Sequence, residues 1–341
     1  MFCVQGLGIV RKMRILITGA FGNVGKAVLH EAQKKNHEIV VFELDNKRNR
    51  KLAKKYRNMV DTVIFGDIRD YISVLSAVEG CDGVIHMTAL IPPVTKRNRE
   101  LCMAVNYGGT VNVVNALNQV ASNIPLIFCS SASVMGATQH LNRLIRPDDP
   151  LKITGNYEES KIKAENMIRE KYRNFLIFRL AGVLPLHSDF SFQQLEELFS
   201  IHSDARVEMI LDLDVAFALI TAVEKLTTQD TPNNRAYILG GGKKNGFQIT
   251  GEILISRSLG CLSLPKPDLK YFTQDLNSYH LDWYDTEAVQ QEFAYQNHKL
   301  DDYYDFIQKR YGRYRIFIRL FRPLILRKFI SMSPYYKTPE A

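Results

Sequence analysis

A tyrosine and a lysine stand four residues apart at the start of a segment with helical character, Tyr157 and Lys161 in the run YEESKIKAE. Residues four apart on a helix share a face. A tyrosine has an ordinary pKa of about 10 and exchanges protons poorly near neutrality unless a nearby cation favours its phenolate form. Lys161 can supply that charge, and the hydroxyl of Ser131 can hold a substrate oxygen on which charge develops. These residue types predict acid–base chemistry at an oxygen.

A glycine-rich turn lies near the beginning of the chain, in the segment ILITGAFGNVG that ends at Gly25. Gly19 allows a sharp turn off an apolar strand, Gly22 lets the backbone approach a pyrophosphate, and Gly25 lets the following helix lie close to the sheet. The N-terminus of that helix then faces the phosphates with its unpaired N–H groups. The spacing therefore predicts a strand, turn and helix that bind a dinucleotide.

A second predicted strand, HEIVVFE, ends in an acidic residue, Glu43. Glu43 follows Gly25 by eighteen positions, which is where a carboxylate would receive the ribose hydroxyls of a dinucleotide. NAD is the predicted cofactor, because a carboxylate there repels the 2′-phosphate of NADP. NADP stays open, since three basic residues that follow closely could neutralise this repulsion: Lys47, Arg48 and Arg50.

Two later strand ends supply further candidate residues. Residues 62–65 form a predicted third strand followed by Gly66 and Asp67, and Asp67 is placed either to receive the adenine amine or to cap the next helix. Residues 83–90 (GVIHMTAL) form a predicted fourth strand, in which apolar neighbours make His86 a core histidine rather than a catalyst. Open α/β sheets place their ligands at the carboxyl ends of such strands.

Length, composition and cysteine usage limit the class of protein. The chain has 341 residues, 46% of them hydrophobic, which suits one large α/β domain with a smaller lobe. Its five cysteines form an odd count without a C-x-x-C pair, so neither a disulfide framework nor a metal site is predicted. The reduced cytoplasm is the predicted location. The first residues lack the pattern of a signal peptide.

The net charge of +8 belongs to the last part of the chain. From Lys309 onward there are nine Lys or Arg residues and one acid, whereas the first 308 residues carry 35 basic and 35 acidic residues. The body of the protein is therefore neutral. Nucleic-acid binding is not predicted, because it needs basic residues spread over a working face.

The tail, residues 309–337, alternates its charges with large apolar residues. On a helix, Arg315, Arg319 and Arg322 would lie on one side, opposite the apolar residues at 314, 317, 318, 321 and 325, with a kink or break at Pro323. No apolar run reaches the roughly 18 residues of a spanning helix. Two interpretations stay open: peripheral contact with a membrane, or packing on the body or on a second subunit as a homodimer contact.

These residues belong to a longer series of motifs. In chain order the series is TGAFGNVG, Glu43, Gly66-Asp67, HMTA at 86–89, NYGGT at 106–110, SSASVMG at 130–136, YEESK at 157–161, FRL at 178–180 and DVA at 214–216. It resembles the series of the extended short-chain dehydrogenase/reductases, the NAD-dependent epimerase/dehydratase family, over roughly residues 13–300.

The resemblance implies a doubly wound, mostly parallel Rossmann-type α/β sheet with a small C-terminal substrate lobe. It also implies NAD(P)-dependent hydride transfer on a hydroxyl or ketone of a small-molecule substrate, with Ser131, Tyr157 and Lys161 as the catalytic residues. The residues implied to bind the cofactor are Gly19, Gly22, Asn23, Val24, Gly25, Glu43, Asp67, Ile68, Thr88, Ala89, Asn106, Tyr157 and Lys161.

Departures from the family pattern narrow the function. Dehydratases of the family place two acids directly after the strand hydroxyl, where this chain has Ala132 and Ser133, so sugar dehydration is disfavoured. Only 35 residues separate Arg179 from Asp214, so the lobe that grips a nucleotide-sugar would be reduced. Three interpretations remain: a dehydrogenase or reductase, an NAD-dependent sugar epimerase, and a non-catalytic NAD-binding scaffold or sensor. The intact Ser-Tyr-Lys set favours an enzyme.

We expect four segments along the chain. Residues 1–12 would be an N-terminal extension, 13–249 a dinucleotide-binding Rossmann domain with part of the substrate site, 250–308 the small C-terminal lobe, and 309–341 the basic amphipathic tail. Within the Rossmann domain, Asn106 is predicted to begin the helix that leads to the fifth strand.

Overall fold

The computed structural model describes residues 11–121, 123–187 and 192–336, and its chain divides into two compact units. The first unit consists of the residues up to Ser130 together with Gly155–Phe178 and Ala216–Ala236. The second consists of Ser131–Thr154, Arg179–Val215 and the residues from Tyr237 onward. Residues 1–10 of the predicted extension and the end of the predicted tail lie outside the described residues. The expected domain boundaries stay predictions.

The described residues form ten strands: β1 (Arg14–Thr18), β2 (Glu38–Glu43), β3 (Thr62–Phe65), β4 (Gly83–His86), β5 (Leu126–Ser131), β6 (Phe175–Leu180), β7 (Gly182–Leu184), β8 (Arg206–Leu211), β9 (Arg235–Leu239) and β10 (Gln248–Thr250). Seven of them make one sheet in the order β3-β2-β1-β4-β5-β6-β9. The neighbouring pairs among β1 to β5 are parallel, and the order reverses between β1 and β4. That reversal is the mark of a doubly wound sheet, so the predicted fold class is confirmed.

The helices in the described residues are α1 (Asn23–Lys34), α2 (Lys47–Tyr56), α3 (Tyr71–Val78), α4 (Val94–Arg97), α5 (Arg99–Cys102), α6 (Gly109–Val120), α7 (Asn156–Lys171), α8 (Phe192–Glu197), α9 (Asp212–Thr228), α10 (Gly251–Cys261), α11 (Glu287–Phe293), α12 (Leu300–Tyr311), α13 (Arg315–Leu320) and α14 (Arg322–Ile330). A wider, π-type helical turn over Met103–Gly108 joins α5 to α6. The helix predicted to open at Tyr157 is α7, which begins one residue earlier.

The start predicted for the helix at Asn106 is wrong. Helical backbone is already present in α5, and Asn98 caps it by accepting a hydrogen bond from the N–H of Leu101 at 2.9 Å. Asn106 lies inside the π-type turn, buried, in the middle of a continuous helical path. Asparagine is a common residue at helix starts, which made Asn106 a plausible first residue. The sequence does not show whether its side chain caps its own helix or bonds another segment.

Both faces of the sheet in the first unit are covered, as a mostly parallel sheet requires. Leu16 and Val84 belong to a hydrophobic cluster that includes side chains of α3, α6 and α7. The adjacent strand residue Ile17 points to the opposite face and is also fully buried. On that face α9 approaches β4 so closely that a Cβ atom on Gly83 would lie 2.4 Å from Val223. The apolar runs of the strands therefore face helices on both sides.

The second unit contains a smaller sheet in the order β10-β8-β7, with β8 at its centre. Glu208 of β8 is fully buried, and three donors converge on its carboxylate: the N–H groups of Gly242 (2.9 Å) and Tyr284 (2.8 Å) and the amide of Gln248 (2.9 Å). Burial raises the pKa of Glu208 to about 7, whereas these donors favour the ionised form. Glu208 thus ties three separate segments of this unit together.

We predict that Glu208→Gln lowers the free energy of unfolding by about 1–3 kcal/mol, because an amide NH2 would face a donor where the carboxylate offered an acceptor. Urea unfolding at pH 8 would measure the difference. Glu79→Gln, at an exposed position, is the control and should change stability by less than about 0.5 kcal/mol. Equal stability of the Glu208→Gln and wild-type proteins would contradict this role of the carboxylate.

Candidate active site

The glycine turn between β1 and α1 has the close contacts that its sequence predicted. Gly19 has a φ of +74°, and a Cβ atom there would lie 2.9 Å from the backbone nitrogen of Thr88. A Cβ on Gly25 would lie 2.4 Å from the carbonyl oxygen of Gly19. Gly22 precedes α1 without a side-chain cap. The first turn of α1 can therefore present its N–H groups to an anion.

Glu43 is held against this turn. Its Oε1 accepts the backbone N–H of Phe21, a residue of the turn, at 2.7 Å, and its Oε2 accepts the side-chain amide of Asn49 at 3.1 Å. Burial raises the pKa of Glu43, while the N–H of Phe21 and the charge of Arg48 act in the opposite direction. The acid predicted to receive ribose hydroxyls thus lies beside the predicted phosphate turn, in the same unit.

Asn49 was not found from the sequence. It lies in α2, a helix in which six of the ten residues are lysine or arginine. The structure buries it, with its amide nitrogen also donating to the carbonyl of Leu44 at 2.9 Å. The available signal was its spacing from Asn46, which caps α2 by accepting the N–H of Asn49 at 2.9 Å and so turns this side of the helix toward the strand end.

Asp67 follows β3 at the same edge of the sheet, and its alternative role as a helix cap is wrong. Asp70 caps α3 instead, by accepting the N–H of Ile72 at 3.2 Å. Asp67 pairs with Arg69, whose hydrogen bonds keep the pKa of Asp67 below its usual range. The neighbouring Ile68 is buried, and a Cβ on Gly109 would lie 2.8 Å from its side chain. An adenine contact of Asp67 and Ile68 stays a prediction.

The segment after β4 carries Thr88 and Ala89, the next predicted cofactor contacts. The hydroxyl of Thr18, at the end of β1, accepts the N–H groups of Met87 (3.2 Å) and Thr88 (3.3 Å). It also lies 2.7 Å from Nδ1 of His86. The turn off β4 is thereby fixed to the strand that leads into the glycine turn. The backbone of Thr88 is thereby held beside Gly19.

His86 is a core residue, as predicted. It is fully buried, and Nε2 lies 3.1 Å from the hydroxyl of Thr110. Burial and then the charge of Lys161 lower the pKa of His86 to about 3, so its ring is neutral at physiological pH.

Asn106 connects the segment after β4 to the helix that carries the predicted catalytic pair. Its carbonyl oxygen accepts the N–H of Leu90 at 2.7 Å, and its amide nitrogen donates to the carbonyl of Leu90 at 3.0 Å. The same nitrogen lies 3.0 Å from the hydroxyl of Ser160 in α7. These contacts occupy the buried amide. We therefore propose that Asn106 acts on cofactor binding by positioning the backbone of the 88–90 segment.

Lys161 is the buried member of the predicted Tyr-Lys pair. Only 2% of the residue is exposed, and its Nζ donates to the carbonyl of Cys129 in β5 at 2.7 Å, with the ring of Phe128 4.7 Å away. Burial lowers the pKa of Lys161 to about 8, although the charge of Glu165 acts in the opposite direction. Lys161 is still mainly a cation at pH 7 and can favour a phenolate at Tyr157, one helical turn earlier.

Glu165 is a second residue that sequence reasoning missed. It lies four residues after Lys161 on the same face of α7, fully buried, and accepts the hydroxyl of Ser130 at 2.6 Å. Helical periodicity places it on the same face as 157 and 161, but does not show that Ser130 is its partner. A charged residue on an inward face is an unusual choice unless it has a partner.

The start of α7 is attached to the 95–106 segment at three more points. The side chain of Asn156 donates to the carbonyl of Thr95 at 2.8 Å, and the thiol of Cys102 contacts the carbonyl of Asn156 at 3.4 Å. Arg99 forms a bidentate pair with Glu159, with N–O distances of 2.7 and 3.1 Å. These contacts, together with Asn106 and Ser160, fix where α7 places Tyr157, which is half-buried.

Ser131 is the last residue of β5 and opens the second unit. Its hydroxyl accepts the N–H of Ser133 at 3.2 Å and lies 3.0 Å from the hydroxyl of Ser133, so it caps a single 3-10 turn over Ala132–Met135. The remaining predicted site residues all lie in the first unit. Among the described residues no group of three or more His, Cys, Asp or Glu side chains is arranged to hold a metal ion.

This chain is similar to known proteins. The model of the NAD dependent epimerase/dehydratase family matches residues 15–187, just over half of the chain. A 3-beta-hydroxysteroid dehydrogenase of Mycolicibacterium neoaurum is 28% identical over 164 residues, 46% of this chain and 42% of that protein. The UDP-glucose 4-epimerase of Mycoplasma genitalium is 28% identical over 131 residues, 37% of this chain and 38% of that protein. The chain thus spans less than half the length of these curated relatives.

A solved structure resembles nearly the whole chain. The UDP-glucose-4-epimerase from Stenotrophomonas maltophila, with bound NAD and formylated UDP-arabinopyranose, matches with a TM-score of 0.71 at 16% identity. The match covers 93% of this chain and 99% of that one. At this identity the likeness supports the fold.

We predict that Lys161→Met raises the free energy of unfolding at pH 7 by roughly 1–3 kcal/mol, because it removes a buried charge at the cost of one hydrogen bond. The folded-state pKa of about 8 lies below the ordinary 10.5, so the unfolded chain binds more protons between these values. Wild-type stability should therefore rise with pH across this window, and the advantage of the variant should shrink.

Urea unfolding at pH 7 and pH 9.5 measures both effects. Lys163→Met is the matched control, since Lys163 is exposed on the same helix and pairs with Glu159 at 2.8 Å. It should change stability by less than about 1 kcal/mol at either pH. A Lys161→Met protein that is less stable than wild type at pH 7 would contradict the predicted cost of this charge.

Proposed function

Because the chain belongs to the NAD dependent epimerase/dehydratase family, we propose that it is an oxidoreductase that transfers a hydride between NAD and a carbon bearing a hydroxyl or ketone. The predictions of an enzyme and of NAD as its cofactor agree with this membership. The observation that supports the chemistry most is the buried ammonium of Lys161, one helical turn after Tyr157 and 2.7 Å from a carbonyl at the end of β5.

The residues of the first unit fit a dinucleotide. The turn at Gly19 and Gly25 has no room for side chains, α1 begins without a side-chain cap, and the carboxylate of Glu43 is fastened to the turn through Phe21. The turn would hold the pyrophosphate, and Glu43 would accept the ribose hydroxyls. NAD, when bound, supplies the acceptor or donor of the hydride. We propose that Asn23, Val24, Thr88 and Ala89 also contact the cofactor, because they lie around the same turn.

The protein's own groups handle the proton. In the direction of oxidation, the substrate hydroxyl gives its proton to the phenolate oxygen of Tyr157 as the adjacent C–H bond loses its hydrogen with both electrons. Lys161 stabilises that phenolate, and Ser131 orients the substrate oxygen. In the direction of reduction, Tyr157 returns the proton to the oxygen. Glu165, linked to Ser130, lies on the same helix face and helps to balance the charge of Lys161.

We predict that Tyr157→Phe lowers turnover by roughly a hundredfold or more, because it removes the acid–base group and keeps the ring. NADH absorbance with a panel of 3-hydroxysteroids reports turnover, and fluorescence titration should give a nearly unchanged dissociation constant for NADH. Tyr314→Phe, at an exposed position of the second unit, is the control. Undiminished NADH formation by the Tyr157→Phe protein would exclude this tyrosine from the mechanism.

Cofactor choice gives a separate prediction, because it can be measured without a substrate. Wild type should bind NADH more tightly than NADPH, and Glu43→Gln should shift the ratio of the two dissociation constants at least tenfold toward NADPH, since the repulsion of a 2′-phosphate is lost. Glu38→Gln, at the other end of β2, is the matched control. A wild-type preference for NADPH would overturn the assignment of Glu43. Arg48 would then be the candidate to neutralise the charge of the 2′-phosphate.

We propose the substrate class from the names of the two relatives. The dehydrogenase relative acts, by its name, on 3-beta-hydroxysteroids, so apolar cyclic alcohols are the first class to test. The second candidate function is nucleotide-sugar epimerisation, which the match to a UDP-glucose 4-epimerase favours. An epimerase would convert a UDP-hexose without net formation of NADH, whereas a dehydrogenase accumulates NADH. A chain that binds NADH but turns over neither class would be a non-catalytic scaffold or sensor.

We also propose that the protein works in the reducing cytoplasm. Cys81, Cys102, Cys129 and Cys261 are all buried and free of disulfides. Burial raises the pKa of the thiols of Cys81 to about 11 and of Cys129 to about 12, so neither is a thiolate at neutral pH. Such cysteines behave as small apolar core residues, which suits a compartment where thiols stay reduced.

A further inference from the structure

The last described helices of the second unit expose a row of large apolar side chains. Three of them are among the most exposed apolar residues described: Ile316 (74%), Leu320 (73%) and Leu324 (65%). Phe317 and Phe321 are also exposed, and their rings pack on each other at 4.5 Å. We call these five residues the apolar stripe. Exposed single apolar residues are ordinary, but a contiguous group marks a binding surface.

The opposite side of the same segment is attached to the second unit. Phe329 is buried and stacks on Phe199 at 4.5 Å, and the hydroxyl of Ser333 donates to the carbonyl of Tyr271. Of the apolar residues predicted to lie opposite the arginines, Phe317 and Phe321 are exposed and Ile318 and Ile325 are half-buried, so this set does not form one buried face.

The predicted break at Pro323 is confirmed. α13 ends at Leu320, and α14 begins at Arg322 with the proline in its first turn. Proline lacks an N–H group, so it is tolerated there and not within a helix. The break leaves two short helices, each carrying part of the stripe.

The charge of this segment indicates the chemistry of a partner. Residues 309–336 contain eight Lys or Arg residues and no Asp or Glu. Arg319, Arg322, Arg327 and Lys328 are exposed on α13 and α14, which carry the stripe, and Arg313 is exposed just before α13. We propose that this surface binds the face of an anionic lipid bilayer, with the stripe entering the acyl boundary and the cations contacting the headgroups.

A second copy of the chain fits this surface less well. A symmetric dimer brings the same patch of each copy together, so arginines would face arginines with no carboxylate in the segment to neutralise them. Anionic headgroups supply the missing charge. No helix in the part of the chain that the structure describes combines the length and the hydropathy that crossing a membrane requires. The proposed contact is therefore peripheral.

Vesicle flotation of the full-length protein tests the proposal, using phosphatidylcholine vesicles with and without phosphatidylserine at low and high salt. Wild type should float with the anionic vesicles at low salt and be released as salt rises. A Leu320→Ser and Leu324→Ser protein should bind at least tenfold more weakly. Arg319→Gln should bind roughly fivefold more weakly to anionic vesicles. Ile72→Ser is the control, because Ile72 of α3 is 68% exposed and lies in the first unit.

Each other outcome overturns the proposal. The proposal is wrong if the wild-type protein does not float with anionic vesicles at low salt. Binding that the Leu320→Ser and Leu324→Ser protein retains in full excludes the stripe. Light scattering that shows a dimer lost with the same two substitutions, in a protein that does not float, assigns the surface to a second copy. Circular dichroism and urea unfolding confirm that each variant folds, which surface substitutions at exposed positions should allow. None of these measurements depends on catalysis or on the identity of the substrate.

Discussion

The ammonium of Lys161 is buried, and the groups around it in the first unit are arranged to tolerate that charge. Removing a charge from water is costly unless dipoles or opposite charges replace its hydration. Here the carbonyl of Cys129, the ring of Phe128 and the carboxylate of Glu165 share that role. The nearby His86 has to stay neutral, since a second cation in the same dry region would raise the cost further. The proposed role of Lys161 in stabilising a phenolate would account for this local cost in stability.

This arrangement requires that α7 be held in one place. The helix is polar on much of its surface, and only about half of its residues are buried. Its position comes from specific contacts with the 95–106 segment, among them the bonds of Asn106 to Ser160 and of Arg99 to Glu159. Asn106 is also bonded to the backbone of Leu90. The buried amide of Asn106 thus links α7, the helix that carries Tyr157 and Lys161, to the loop beside the glycine turn.

The contacts that sequence reasoning missed share a physical cause. Asn49, Glu165 and Ser160 are polar residues whose partners lie far away in the chain or on another element. Nothing in local spacing shows that Asn49 donates to Glu43 rather than to water. The cap of α3 illustrates the same limit, because Asp67 and Asp70 are both acceptable caps and only the backbone geometry selects Asp70. Periodicity predicts which face of a helix is apolar, but not which polar residue finds a buried partner.

The sequence by itself determined the glycine turn with its acid, and its series of motifs predicted the doubly wound fold class through the family resemblance. The turn depends on the backbone conformations that glycines at this spacing allow, which adjacent residues decide. Only the tertiary structure decided that Glu43 accepts hydrogen bonds from Phe21 of the turn and from Asn49 of α2. It also decided that Asn106 lies inside a helix, and that the tail exposes an apolar stripe. These depend on burial and on pairing between distant segments, and a residue's type states what it can bind without stating what folding brings to it.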